Sequence, residues 1–277
     1  MFKRLFYLIP ITIIALNTGI ITPNPTLALI PREISAKGKS FTVIIEGTEG
    51  GSGVIIEKNN QTYTVITNWH VVDTPGDYII ITPDRKKYTV PYNKVKRLPG
   101  YDLAILQFTS KINYKKAKIG SSTKLVEGDN VYIGGFPFAI AGVPERGYSF
   151  IPSTINQLLS KGDEGYTFTH NNFGTPGTSG GALLDDNGNL VGINGEVAQD
   201  GNTGKTFGRG IPIETFLTKR NAFILPEGVK PPEDFISVGD RKAKANDYQG
   251  AISAYSQALA DNPNDVNVYY KRGAIYY

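Results

Sequence analysis

The chain has 277 residues, a net charge of +4, and is 40% hydrophobic and 19% charged. This excludes a disordered or collagen-like chain and leaves room for one large domain or two modest ones. It contains no cysteine, so disulfides, thiolate zinc sites, iron–sulfur clusters and a cysteine nucleophile are excluded together. Only two histidines occur, His70 and His170. That is too few for a multi-histidine site, and no metal or other cofactor is expected. The basic residues are spread along the chain and make no case for nucleic acid.

Residues 1–28 have the layout of an export signal. Lys3 and Arg4 give a positive start, an apolar run follows from Leu5 to Leu16 broken by Pro10, and Thr26-Leu27-Ala28 offers a small-residue cleavage site. The run is shorter than the ~20 residues of a membrane-spanning helix. Counting Gly19-Ile20-Ile21 leaves an uncleaved N-terminal anchor as the alternative to cleavage before Leu29. The expected location is periplasmic or extracellular. With Lys3 and Arg4 removed, the net charge falls to +2.

From there to residue 223 the chain reads as short strands. Apolar or alternating runs occur at Phe41–Glu46, Gly53–Glu57, Thr62–Thr67, Tyr78–Thr82, Tyr88–Val90 and Leu103–Phe108. They resume at Asn130–Gly134, Ile151–Leu158, Tyr166–Thr169, Ala182–Leu184, Leu190–Gly195 and Thr206–Gly210. Turn residues such as Asn59-Asn60, Thr74-Pro75-Gly76 and Asp186-Asn187-Gly188 separate them, a pattern of all-β barrels or sandwiches. A break near Ser121–Asp129 divides the strands into two similar groups. Ile213–Ala222 has a helical pattern.

Three segments carry chemistry. Thr67-Asn68-Trp69-His70-Val71-Val72 closes a strand, Tyr101-Asp102-Leu103-Ala104-Ile105-Leu106 opens one, and Gly177-Thr178-Ser179-Gly180-Gly181 is a glycine-rich turn. A hydroxyl is a poor nucleophile until a base takes its proton, and an imidazole titrating near pH 6.5 supplies that base. A buried carboxylate fixes the imidazole tautomer. The glycines let the N–H groups of Gly177 and Ser179 point at one spot and hold an oxyanion. The candidate catalytic residues are therefore His70, Asp102 and Ser179. Asp185-Asp186-Asn187-Gly188-Asn189 has the composition of a calcium loop but lacks the later acid, and is expected to be a hairpin turn.

These segments resemble the trypsin-like, chymotrypsin-fold serine peptidases, and within them the exported bacterial HtrA/Deg-like branch. Gly51-Ser52-Gly53 and Gly128-Asp129 through Phe138 are similar to further family segments, as is Gly208-Arg209-Gly210-Ile211-Pro212-Ile213. The resemblance covers about residues 34–223. It implies two six-stranded β-barrels, about 34–125 and 126–223, with the three residues in the cleft between them. Thr178 stands where trypsin's close relatives carry an aspartate, which implies no zymogen-type activation. The resemblance puts substrate contacts at Phe173, Gly195, Glu196, Val197 and Gly208. Phe173 in place of an acid implies no strict Lys/Arg preference, and a small or medium apolar side chain is expected. Trp69, a bulky neighbour for the histidine, is open between crowding the cleft and packing against the second barrel. His170 is expected to be structural or pocket-lining.

Residues 224–231 read as a linker. Beyond them a 34-residue period pairs Phe235 with Tyr269 and Gly239 with Gly273. Tyr248, Ala251, Tyr255, Ala258 and Pro263 resemble the pattern of a tetratricopeptide repeat over 232–277, one copy and part of a second. The fold class expected is thus an all-β double barrel followed by a small helical repeat segment. Two functions stay open. One is an exported serine endopeptidase acting on protein or peptide substrates, with the repeat docking a protein partner. The other is an inactive pseudoprotease serving as a binding scaffold.

Overall fold

The computed structural model describes residues 29–139, 145–172, 174–199, 201–225, 232–261 and 265–276. The expected export signal over residues 1–28, most of the linker and Pro263 lie outside them. No helix of the described residues is long and apolar enough to cross a membrane.

The first unit is a seven-stranded antiparallel sheet. Its strands are β1 (Thr42–Glu46), β2 (Gly51–Asn59), β3 (Thr62–Thr67), β4 (Tyr78–Ile81), β5 (Lys87–Val90), β6 (Lys96–Arg97) and β7 (Ala104–Thr109), in the order β5-β4-β1-β2-β3-β7-β6. The second unit closes into a six-stranded barrel. It comprises β8 (Asn130–Gly135), β9 (Ser149–Leu158), β10 (Phe168–His170), β11 (Ala182–Leu184), β12 (Leu190–Gln199) and β13 (Thr206–Pro212), in the order β10-β13-β12-β11-β8-β9. The double-β architecture is as expected, but the first half is a seven-stranded sheet whose edges are not hydrogen-bonded together, where a closed six-stranded barrel was expected. β6 has two residues and offers β5 no ladder, so the sheet curls round and meets itself through side chains. The Tyr88 ring on β5 lies 4.5 Å from the Phe108 ring on β7.

All twelve strands expected from the alternation are present. β6 was not anticipated, nor was α1 (Pro31–Phe41) ahead of β1. Proline is well placed at that helix's first turn, where its missing N–H is not needed. The Glu33 carboxylate accepts the Ile30 N–H at 3.2 Å, and Ile34 and Phe41 are buried on one side. The second barrel ends in α2 (Ile213–Lys219), matching the helical pattern expected there. The Asp185–Asn189 turn joins the antiparallel pair β11 and β12. Its Asp185 carboxylate accepts the N–H groups of Asn187 and Asn189 at 2.9 and 2.8 Å, so it serves as a hairpin turn.

Among its described residues, the C-terminal segment holds three α-helices, α3 (Pro232–Lys244), α4 (Tyr248–Asp261) and α5 (Val266–Gly273). Ala251, Tyr255, Ala258, Leu259 and Val268 form their core, and Gly239 lets α3 close on Tyr255. These helices do not stand apart from the barrels. Arg241 on α3 forms an ion pair with the buried Asp73 carboxylate, three residues after His70.

Candidate active site

β3 ends at Thr67, and a single 3-10 turn, Trp69–Val71, carries His70. Asp102 lies just ahead of β7. It receives His70 twice, the backbone N–H on Oδ1 at 2.8 Å and the ring Nδ1–H on Oδ2 at 2.6 Å. One carboxylate thus fixes both the main chain and the ring of the histidine. Nε2 is left as the nitrogen free of that pair. Burial alone would lower the His70 pKa, but the charge and hydrogen bond of Asp102 outweigh it and raise the value above 6.5. Glu196 pushes it further up, and Arg241 opposes. Burial would likewise raise Asp102, but His70 and Tyr166 outweigh it and hold the carboxyl well below the usual carboxylate range.

Asn68 ties the three segments together. Its Nδ2 donates to the Asp102 carbonyl at 3.0 Å, and its Oδ1 accepts the N–H of Gly180, next to Ser179, at 2.6 Å. The structure therefore brings His70, Asp102 and Ser179 to one place at the junction of the two units. The Ser179 hydroxyl donates to the Gly195 carbonyl at 3.4 Å, a long and weak bond.

The turn before the serine is set by Gly177, whose φ of +93° is the region that favours glycine. The Pro176 carbonyl accepts the Phe138 N–H at 2.9 Å. A trans peptide sends its N–H the opposite way from its carbonyl, so the Gly177 N–H faces away from Phe138. Ser52 braces this turn. Its hydroxyl donates to the Gly177 carbonyl and accepts the Phe136 N–H, both at 2.8 Å, and its own N–H donates to the Ser179 carbonyl at 2.8 Å. Arg146 adds a guanidinium among the carbonyls of Ile45, Gly51, Phe136, Pro137 and Gly177, at 2.5–3.4 Å. Ser52 and Asn68 sit inside the segments read for chemistry, whereas Tyr166 was read only as the start of a strand and Arg146 and Arg241 carried no sequence signal.

Of the expected substrate contacts, Phe173 lies outside the described residues. Gly195, Glu196 and Val197 lie on β12 and Gly208 on the neighbouring β13, with Val197 paired to Gly208. The pairing shifts register between Asn194 and Val197, so a bulge turns Gly195 and Glu196 out of the ladder. Glu196 faces Arg209 at 3.6 Å, and its carboxylate also lies within 4.8 Å of the His70 and Asp102 ligand atoms. His170 belongs elsewhere. It is fully buried against Asn194, Nε2 to Oδ1 at 3.1 Å. Burial pushes its pKa down to about 4, with Asn194 opposing, so the ring is neutral at pH 7. Trp69 is buried, and the Arg97 guanidinium of β6 lies 5.3 Å from the centre of its ring.

The family model for a trypsin-like peptidase domain matches residues 51–193, and one for a TPR repeat matches residues 239–277. The chain is 28% identical over 230 residues to the Serine protease Do-like HtrA of Bacillus subtilis, covering 80% of this chain and 50% of that one. It is 32% identical over 171 residues to the Periplasmic serine endoprotease DegP of Escherichia coli, covering 61% of this chain and 34% of that one. Exfoliative toxin A of Staphylococcus aureus is 33% identical over 174 residues, covering 54% of this chain and 58% of the toxin. The chain thus spans about half or less of the length of these HtrA-type relatives. A solved HtrA-type protease, AlgW with a tripeptide, superposes with a TM-score of 0.57 over 70% of this chain and 63% of that one, at 21% identity. That likeness concerns the fold alone.

Proposed function

The chain belongs to the trypsin-like peptidase domain family, and on that premise we propose that it is an exported serine endopeptidase working through His70, Asp102 and Ser179. His70 Nε2 takes the Ser179 proton as Oγ attacks the scissile carbonyl. The N–H groups of Gly177 and Ser179 receive the oxyanion. The imidazolium returns the proton to the leaving amine, and water then hydrolyses the acyl-enzyme by the same route. The observation that carries this reading is the pair of hydrogen bonds from His70 to Asp102 at 2.8 and 2.6 Å, with Asn68 holding Asp102 and the N–H after Ser179 on one side chain. A rotation of the Ser179 hydroxyl away from Gly195 toward Nε2 completes the array.

In this reading residues 29–223 are the peptidase unit, 224–231 a linker, and 232–277 a repeat that docks a protein partner. Gly195, Glu196 and Val197 receive an extended substrate along β12, with Phe173 and Gly208 lining the pocket for its specificity side chain. Residues 1–28 direct export, in keeping with a relative named as periplasmic. The bond from Ser179 to Gly195 favours a second reading, a pseudoprotease that binds without cleaving.

A fluorophosphonate probe separates the two. Wild type is expected to label and Ser179→Ala to remain unlabelled; equal labelling of both sinks the catalytic reading. Because the neutral imidazole is the base and its pKa is raised, labelling should fall as pH drops, with its midpoint above 6.5. A rate flat between pH 5 and 8 would exclude His70 as base.

A further inference from the structure

Asp102 is held by more than its histidine. The turn at Asp163–Tyr166 of the second unit reaches across to it at two points. The Glu164 carbonyl accepts the Asp102 N–H at 2.9 Å, and the Tyr166 hydroxyl donates to Asp102 Oδ2, the same oxygen that receives His70 Nδ1. Reaching there requires a costly backbone. Glu164 adopts φ 52°, and Gly165 follows at φ 88°, a left-handed conformation that costs a non-glycine residue free energy. The Tyr166 ring is buried, and the Arg209 guanidinium lies 4.7 Å from its centre. On the side facing the substrate strand, a Cβ at Gly195 would collide with the Tyr166 hydroxyl and ring. Glycine at 195 and tyrosine at 166 are therefore one device, since the first leaves the space that the second fills.

We propose that Tyr166 is a positioning residue for this site: its hydroxyl fixes the Asp102 carboxylate from the second unit, so that the aspartate orients His70 only when both units are docked. This rests on the triad reading above and deepens it. A carboxylate oxygen with two donors has its charge shared between them. Removal of the hydroxyl leaves Oδ2 to the imidazolium alone, which favours the protonated ring, and also frees the carboxylate to turn. The other charged groups facing His70 are Glu196 on β12 and Arg241 on α3. Glu164 bears on Asp102 itself, with its carboxyl raised to about 7 by burial and by that neighbour.

The test is Tyr166→Phe in the full chain, which keeps the ring and removes one oxygen, with Tyr114→Phe as control. Tyr114 is also buried and donates its hydroxyl to a carboxylate, that of Asp84 at 3.0 Å, remote from the cleft. With two histidines in the chain, isotope-labelled histidine reports the His70 titration by NMR whether or not the protein turns over. Tyr166→Phe should raise the His70 midpoint by about half a pH unit or more and lower the plateau kcat roughly tenfold, with KM changed less than about twofold. Gly195→Ala, which pushes the hydroxyl off Asp102, should likewise raise the His70 midpoint, and Tyr114→Phe should change neither the midpoint nor kcat. A purely structural tyrosine would lower the melting temperature and leave the His70 midpoint and kcat where they were; that result overturns the proposal. Loss of labelling by Ser179→Ala with no effect of Tyr166→Phe would leave the triad standing and remove Tyr166 from it. Equal labelling of wild type and Ser179→Ala would remove both.

Discussion

Glu164 illustrates how single groups near the cleft set the behaviour of the fold with pH. Burial, then the charges of Asp102 and Glu196, raise its carboxyl to about 7, with Arg241 and Lys244 opposing. In the unfolded chain it titrates near 4.3. Between those values the folded state binds the extra proton, so its contribution to stability is fully present below pH ~4 and is lost as pH rises to about 7. Glu164→Gln removes the penalty. It should stabilise the protein at pH 8 by on the order of 1–2 kcal/mol, reduced because the group is only partly buried, and change little at pH 4. Urea unfolding at the two pH values measures this; equal gains at both would show that the carboxyl is not the titrating group. None of it was legible in the sequence. His70, Asp102 and Ser179 were, because each sits in a short segment whose neighbours announce it. Tyr166 and Glu164 act on a residue more than 60 positions away, and only the docking of one unit on the other makes them neighbours.

At the scale of elements, the strands were readable because alternation and turn chemistry are local. What escaped was short or weakly marked: β6, with two residues, and α1, with only Ile34, Gly38 and Phe41 buried. In the proposed mechanism, the turn from Thr175 to Ser179 is the element on which chemistry depends. Gly177 has no room for a side chain: a Cβ would run into the Phe138 N–H at 2.5 Å and the Phe136 carbonyl at 2.9 Å, and its φ is positive. Gly177→Ala should therefore rotate the peptide and withdraw an oxyanion donor. The expected loss is about 100- to 1,000-fold in kcat, with KM within a fewfold. Steady-state kinetics on a peptide substrate decides it. An unchanged kcat would mean that the Gly177 N–H does not serve the oxyanion.

Across the whole molecule, the repeat helices touch the peptidase-family unit through a charge. Arg241 on α3 pairs with Asp73 and lowers the His70 pKa from beyond the cleft wall. Arg241→Gln should raise the His70 midpoint, so that activity at pH 6.5 falls while the plateau above pH 8 is kept. A pH–rate profile shows it, and an unmoved acid limb would confine Arg241 to a structural tie. The contact was not foreseeable: the period of the repeat announced its helices, not where they would lie.

Arg146 has a wider consequence. Its guanidinium joins carbonyls of β1 and β2 in one unit to those of the Phe136–Pro137 segment and of Gly177 in the other. One guanidinium therefore bridges the seam between the two units and the Gly177 peptide. An opening of the seam has to break some of these bonds, so a ligand that tightens the Gly177 turn through them would resist the opening, and the two effects would be equal in free energy.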